Sequence, residues 1–221
     1  MKKLAVLTCL VVFALGAGGA MADDVDYQLR IMVHRLAPVQ PVVGDKENKK
    51  SGSGFAGWAI VPDVTARPAR GLLVAGRGWR DQKGGDKKNP PTHVRWVEVM
   101  GGSYFSKNGF EPMLNARSFA KNPRGDVYAE TLYNFRTRRL LVSGSVTTPV
   151  PFLSKLRIGA ETDLLAGGNE KVKDRKPSFG IGPRVVVPVP FTHGRVALTT
   201  GFQLRTRGQP PFIRSYLTIN W

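Results

Sequence analysis

Hydrophobic and polar residues alternate with a period of two along most of the chain. In segment 156–164, apolar residues and threonine hold the even positions, whereas Arg157, Glu161 and Asp163 lie at odd positions. Four further segments alternate in the same way: 27–34, 127–136, 195–205 and 211–221. Strict alternation predicts β-strands with one apolar and one polar face, and no segment after residue 22 has the spacing of an amphipathic helix.

Less regular alternation predicts six further strands, at 54–66, 71–80, 93–106, 112–120, 139–149 and 177–189. Glycine, proline and asparagine clusters separate the candidates and are typical of turns. The fold class that this pattern predicts is all-β, an antiparallel up-and-down barrel. Because an antiparallel up-and-down barrel is expected to have an even strand count, we omit the poorly alternating 112–120 and expect about ten strands, with eight or twelve as alternatives. That choice places the three Lys-rich breaks, 37–53, 81–92 and 167–176, at one end of the sheet.

The first 22 residues have the layout of a secretory signal peptide. Lys2 and Lys3 precede an apolar stretch from 4 to 15, and Ala20-Met21-Ala22 fits a small-x-small cleavage site. The apolar stretch is shorter than the roughly 20 residues that a spanning helix needs. We therefore predict a signal peptide over 1–22 and a single β-barrel domain over 23–221. Cys9 lies inside the apolar stretch, so the processed chain has no cysteine for a disulfide or a thiolate metal site.

The chain is strongly basic, with a formal net charge of +17. Loss of Lys2 and Lys3 would leave +15, since residues 1–22 contain no acid. For an exported protein, this charge favours anionic partners such as lipopolysaccharide phosphates or acidic polysaccharide, and export argues against nucleic acid. The expected surroundings are outer-membrane lipid and lipopolysaccharide.

The C-terminal segment ends on an aromatic residue. Ile213, Leu217 and Ile219 share one face of the predicted last strand with Trp221. This segment, with the signal peptide and the alternating pattern, resembles the outer-membrane β-barrel proteins of Gram-negative bacteria. The resemblance implies an outer-membrane location and recognition of the last strand by the barrel-assembly machinery. The alternative is a soluble periplasmic β-protein that binds an acidic ligand. The architecture hosts many functions and implies no particular activity.

Arginines recur on the predicted polar faces, or at their margins: Arg30, Arg136, Arg157, Arg184, Arg195, Arg205 and Arg214. If the polar face lines a barrel interior, these residues either pair with acids and fill it or make it cationic. The first case predicts a small barrel with a structural or envelope-interaction role. The second predicts a narrow anion-selective channel, since rings of arginine favour anions in pores.

No pattern in the sequence predicts catalysis. Lipid A deacylases carry a His-x-Ser element, but Arg195 stands where the serine would follow His193. His34 and His93 lie far away in sequence, and Glu161 and Asp163 share their face with Arg157. We therefore predict that the chain is not an enzyme and has no cofactor and no metal site.

Overall fold

The computed structural model describes residues 26–34, 40–41, 49–60, 71–85, 91–106, 109–169, 177–189, 196–206 and 211–220, which form strands, turns and short connections without a helix. The predicted signal peptide lies outside the described residues. The strands are β1 (Asp26–His34), β2 (Gln40–Pro41), β3 (Lys49–Ile60), β4 (Gly71–Lys83), β5 (His93–Ser106), β6 (Gly109–Asn122), β7 (Gly125–Asn134), β8 (Arg139–Val150), β9 (Leu153–Gly167), β10 (Ser178–Pro188), β11 (Val196–Arg205) and β12 (Phe212–Asn220).

All twelve strands belong to one sheet. From β3 to β12, each strand pairs antiparallel with the next strand in the chain, which confirms the predicted all-β, antiparallel up-and-down order. The two-residue β2 pairs with the start of β3. The first strand behaves differently: β1 pairs with β12 in parallel, from Asp26 opposite Phe212 to His34 opposite Asn220.

The omission of segment 112–120 was wrong. It forms the middle of β6, which pairs with β5 on one side and β7 on the other. Its alternation is hard to recognise because the buried side of β6 mixes Met113 with Glu111, Asn115 and Arg117. Since each of the eleven predicted segments contains a strand and β2 adds a twelfth, the described residues form a sheet of twelve strands, one of the two alternatives to the expected ten.

The extra strand also changes where the Lys-rich breaks emerge. The β4–β5 connection and the start of β3 lie at the same end of the sheet, because Lys49 is opposite Lys83. Five strands, β5 to β9, separate the β4–β5 connection from the β9–β10 connection. An odd number of antiparallel strands puts the two connections at opposite ends. The expectation that all three breaks lie on one side was therefore wrong.

The two faces of the sheet differ sharply in chemistry. We call inner the face that the fold buries and outer the face that it exposes. A row of directly opposed residues crosses the inner face from β5 to β11: Glu98, Arg117, Glu130, Ser143, Asp163, Gly180 and Arg205. One residue further along each strand, the outer face carries Val99, Ala116, Thr131, Val142, Leu164 and Phe179. Successive side chains of a strand point to opposite faces, so neighbouring positions of each strand belong to different rows.

A smaller part of the inner face is apolar. It lies on β3 to β6 and consists of Ala56, Leu72, Val74, Met100 and Met113, with Tyr104 and Leu132 packed against it. Two inner-face glycines, Gly76 and Gly102, allow the neighbouring backbone to come close here. The inner face is thus filled by an apolar cluster on one side and by charged residues across the remaining strands.

Two adjacent glycines of β5 provide a test of this close approach. A Cβ atom at Gly102 would lie 2.0 Å from the carbonyl oxygen of Leu73 and 2.7 Å from the Cα atom of Val74, whereas one at Gly101 would meet nothing within 4 Å. We expect Gly102→Ala to lower the free energy of unfolding by at least about 2 kcal/mol, because backbone atoms must move. Gly101→Ala should change it by less than about 0.5 kcal/mol. Equal effects of the two substitutions in equilibrium unfolding would contradict this packing.

Candidate functional site: the charged inner face

The centre of the charged row is an ion pair between β5 and β6. Glu98 has no exposed surface and Arg117 is 5 % exposed. The two residues are directly opposite each other, and Arg117 donates from Nε and Nη2 to Oε2 of Glu98 at 3.1 and 2.5 Å. The guanidinium of Arg117 also lies 5.6 Å from the ring centroid of Trp96. A buried carboxylate is stable only when such donors replace its hydration.

Amide side chains provide donors to the neighbouring carboxylates. Asn115 donates to Oε1 of Glu130 at 2.9 Å, and Asn134 donates to Oε2 of Glu111 at 2.5 Å. Both contacts join β6 to β7. The acids on this part of the inner face are therefore held in hydrogen bonds that also fix the register of the strands.

A second group of charges spans β9, β10 and β11. Arg184 donates to Oε2 of Glu161 at 3.1 Å and Gln203 donates to Oε1 at 2.9 Å. Arg205 donates to Oδ2 of Asp163 at 3.1 Å. Glu161 and Asp163 belong to β9, whereas Gln203 and Arg205 belong to β11, so these contacts pass over the intervening strand.

Glycines make the contacts across β10 possible. Gly182 and Gly180 are the β10 residues directly opposite Glu161 and Asp163. On β11, a Cβ atom at Gly201 would lie only 2.3 Å from the carboxyl carbon of Glu161. At Gly180 and Gly201, the side chains of Asp163 and Glu161 occupy the space that a Cβ atom would fill, whereas at Gly182 the backbone of β11 leaves no room for one.

A further ion pair lies near the β4–β5 end of the sheet. Nε of Arg157 is 2.8 Å from Oδ2 of Asp126 and 3.2 Å from Oγ1 of Thr147. Thr147 in turn donates to Asp126. The hydroxyl group thus bridges the cation and the anion.

The predicted arginines have different positions in the fold. Arg157, Arg184 and Arg205 lie on the inner face, each paired with a carboxylate. Arg136 instead lies in the exposed turn between β7 and β8, where it donates to the carbonyl oxygen of Phe110 at 3.2 Å. Arg30 and Arg214 belong to β1 and β12, but their side chains, like the whole of Arg195, are outside the described residues.

Of the predicted assembly signal, the described part of the last strand includes three residues. Ile213, Leu217 and Ile219 are opposite Phe202, Leu198 and Val196 of β11. Trp221 lies outside the described residues. These β11 residues alternate with the buried Thr199, Gly201 and Gln203, so the three β12 residues are aligned with outer-face positions of β11.

Sequence reasoning missed two inner-face arginines. Arg117 was missed because its segment, 112–120, was not accepted as a strand. Arg80 was missed because it stood at the predicted end of strand 71–80, whereas β4 continues to Lys83. Arg117 lies directly opposite Glu98, so recognition of the β5–β6 hairpin in the sequence would have placed Arg117 on the polar face.

His93 is exposed, with Nδ1 3.1 Å from Oγ1 of the neighbouring Thr92, and His34 and His193 have no described side chains. Within the described ranges, no three histidine, cysteine or acidic residues are grouped as metal ligands would be.

No helix of the described chain is long and apolar enough to cross a membrane. Comparison with protein-family models, curated proteins and solved structures finds no match.

Proposed function

We propose that the chain is a small outer-membrane β-barrel with a closed, ion-paired interior and a structural or envelope-interaction role. The observation that carries the proposal is the reversed polarity of the sheet. Glu98 and Asp163 are 0 and 1 % exposed, whereas Val146 and Leu204 are 57 and 60 % exposed. A protein folded in water buries its apolar residues and leaves charges outside. The opposite arrangement fits a barrel whose outer face contacts lipid.

The strand pairing supports closure of the sheet into a ring. The described residues form eleven long strands, and neighbours that alternate in direction cannot close an odd ring without one parallel pair. The pairing of β1 with β12 is such a parallel pair. On its other side, β1 lies close to β3. Closure through β1 would also explain how a single sheet buries an entire face.

The ion pairs favour a closed interior over an anion-selective channel. Arg117, Arg157, Arg184 and Arg205 each contact a carboxylate, so their charges are already compensated. An anion-selective pore needs arginines that face water and attract the permeating ion. Barrels of about eight strands are filled by their side chains, whereas sixteen or more leave an aqueous channel, and a ring of the eleven long strands lies nearer the smaller class.

Lipopolysaccharide phosphates remain the proposed anionic surroundings, with a revised geometry. The Lys-rich segments before β3 and between β4 and β5 join strands at one end of the sheet, and the segment between β9 and β10 joins strands at the other. Only the first two can contact the same membrane surface. They would add electrostatic attraction to a negatively charged leaflet.

Fractionation and gel mobility test the proposal together. We expect the protein in the outer-membrane fraction, released by detergent, with a different mobility in SDS gels before and after boiling. In planar bilayers the folded protein should give no conductance steps. Recovery from the soluble periplasmic fraction without a mobility shift would overturn the membrane barrel. Regular anion-selective steps would overturn the closed interior and leave the barrel intact.

A further inference from the structure

Two cations on the inner face differ from the paired arginines. Lys50 and Arg80 lie on β3 and β4, near the end of the sheet where β4 continues into the β4–β5 connection. Lys50 is opposite Gln82, and Arg80 is opposite Gly52, so the two cations are diagonal neighbours on the same face. Diagonal pairs across antiparallel strands have Cβ atoms no more than about 8 Å apart, which lets two long side chains reach one ligand.

Neither cation is neutralised within the described part of the chain. The ion pairs there involve Arg117, Arg157, Arg184 and Arg205, and none includes Lys50 or Arg80. Nε of Arg80 is buried and has no hydrogen-bond partner. Leaving a charged donor buried and unsatisfied is costly, so an acceptor from outside the chain would be stabilised here.

The surroundings of Arg80 leave space for such an acceptor. Its neighbours across and along β3 and β4 on the inner face include Gly52, Gly54 and Gly78, which have no side chains. On the other side, Arg80 is opposite Trp96, the first of three aromatic residues in one cross-strand row. Trp96 stacks on Phe119 with a centroid distance of 5.5 Å and meets Tyr128 edge-on at 6.2 Å. These packed aromatic rings border Arg80 on the β5 side.

Among the side chains that the structure describes, the other inner-face charges on this part of the sheet do not compensate Arg80. Glu98 accepts two hydrogen bonds from Arg117, and Asp126 is held by Arg157 and Thr147. Lys121 lies in the same cross-strand row as Lys50 but is directly opposite Asp126. Asp81 belongs to the opposite face, because it is adjacent to Arg80 along the strand.

We propose that Lys50, Arg80 and Gln82 form a binding site for the phosphate group of a water-soluble phosphate monoester, at the β4–β5 mouth of the barrel. A guanidinium binds phosphate through two parallel hydrogen bonds, an ammonium adds a mobile charge, and the amide of Gln82 adds a neutral donor. The site rests on the proposed barrel, because the inner face lines an opening that water can enter only if the sheet is closed. A soluble ligand fits this position, because lipid would contact the outer face.

Titration with inorganic phosphate tests the site. The folded full-length protein in detergent should bind phosphate saturably at constant ionic strength, as measured by calorimetry. Arg80→Gln and Lys50→Gln should each weaken binding by about tenfold or more, the value expected for a lost charged hydrogen bond. Arg80→Lys should give an intermediate loss, because it keeps the charge without the paired donors. Glycerol 3-phosphate should compete with phosphate.

The matched control is Arg77→Gln, which removes an exposed arginine from the outer face of the same strand. It should leave phosphate binding unchanged. Absence of saturable binding, or an equal loss in Arg77→Gln and Arg80→Gln, would overturn the site. Competition by micellar phosphatidic acid but not by glycerol 3-phosphate would overturn the assignment to a soluble ligand. All variants are first checked for the gel-mobility shift: a wild-type protein without it contradicts the barrel, whereas a shift without phosphate binding contradicts this site alone.

Discussion

We expect Arg117→Met to lower the free energy of unfolding by about 3–5 kcal/mol, because it leaves a charge buried without its partner. Glu98 has no exposed surface, and both of the hydrogen bonds that Arg117 donates to it would be lost. Methionine keeps much of the length and packing of the arginine stem, so the loss reports mainly on the charge. Equilibrium unfolding in urea, followed by tryptophan fluorescence, measures the effect.

Two controls separate the ion pair from general effects of the substitution. The double variant Glu98→Gln with Arg117→Met should recover a large part of the lost stability, since no unpaired charge remains. Arg77→Met makes the same replacement on the outer face and should leave stability unchanged or raise it. If Arg117→Met is as mild as Arg77→Met, Glu98 is not buried as described.

The second large effect is expected on the outer face. Leu114 lies near the middle of β6, is 45 % exposed and has Gly101 and Tyr133 as its cross-strand neighbours. In a lipid bilayer, we expect Leu114→Arg to lower the free energy of unfolding by about 2–4 kcal/mol, the cost of an arginine near the bilayer midplane. In water, the same replacement at an exposed position would have little effect.

Leu114→Ala is the matched control, because it removes apolar surface without adding a charge. The difference between the two variants, measured by reversible unfolding from lipid vesicles, isolates the cost of placing the charge in lipid. Arg and Ala variants of equal stability would show that Leu114 faces water. An arginine variant that is more stable than the alanine variant would likewise show that Leu114 does not face lipid, and would contradict the membrane barrel.

The sequence predicts the strands and their faces best where charges mark one side. Arg157, Glu161 and Asp163 alternate with apolar residues, and all three lie on the inner face of β9. The strand β6 was harder to predict from the sequence, because Met113 stands among polar residues on its inner side. The parallel pairing of β1 with β12 could not be predicted, because it depends on how many strands intervene and not on any local pattern.

The interior contacts needed information that alternation does not contain. Alternation placed Arg184 and Glu161 on polar faces, but their contact depends on the register between β9 and β10. Arg205 and Asp163 lie on strands that are separated by β10, and their contact also needs the space that Gly180 of β10 leaves between them. Arg136 was predicted to continue β7, but the strand ends at Asn134, whose side-chain oxygen accepts a hydrogen bond from the backbone N–H of Thr137 in the turn.

The contact of the outer face with lipid is the central claim, and spin labelling measures it directly. Cys9 is the only cysteine of the chain, so a protein that begins at Asp23 accepts single cysteines without interference. Nitroxides at Leu114, Val146 and Leu204 in vesicles should collide more often with oxygen, which concentrates in lipid, than with a water-soluble nickel complex. A nitroxide at Arg138, in the exposed β7–β8 turn, should show the opposite preference. Outer-face labels that collide with the nickel complex as often as the Arg138 label does would contradict the membrane barrel.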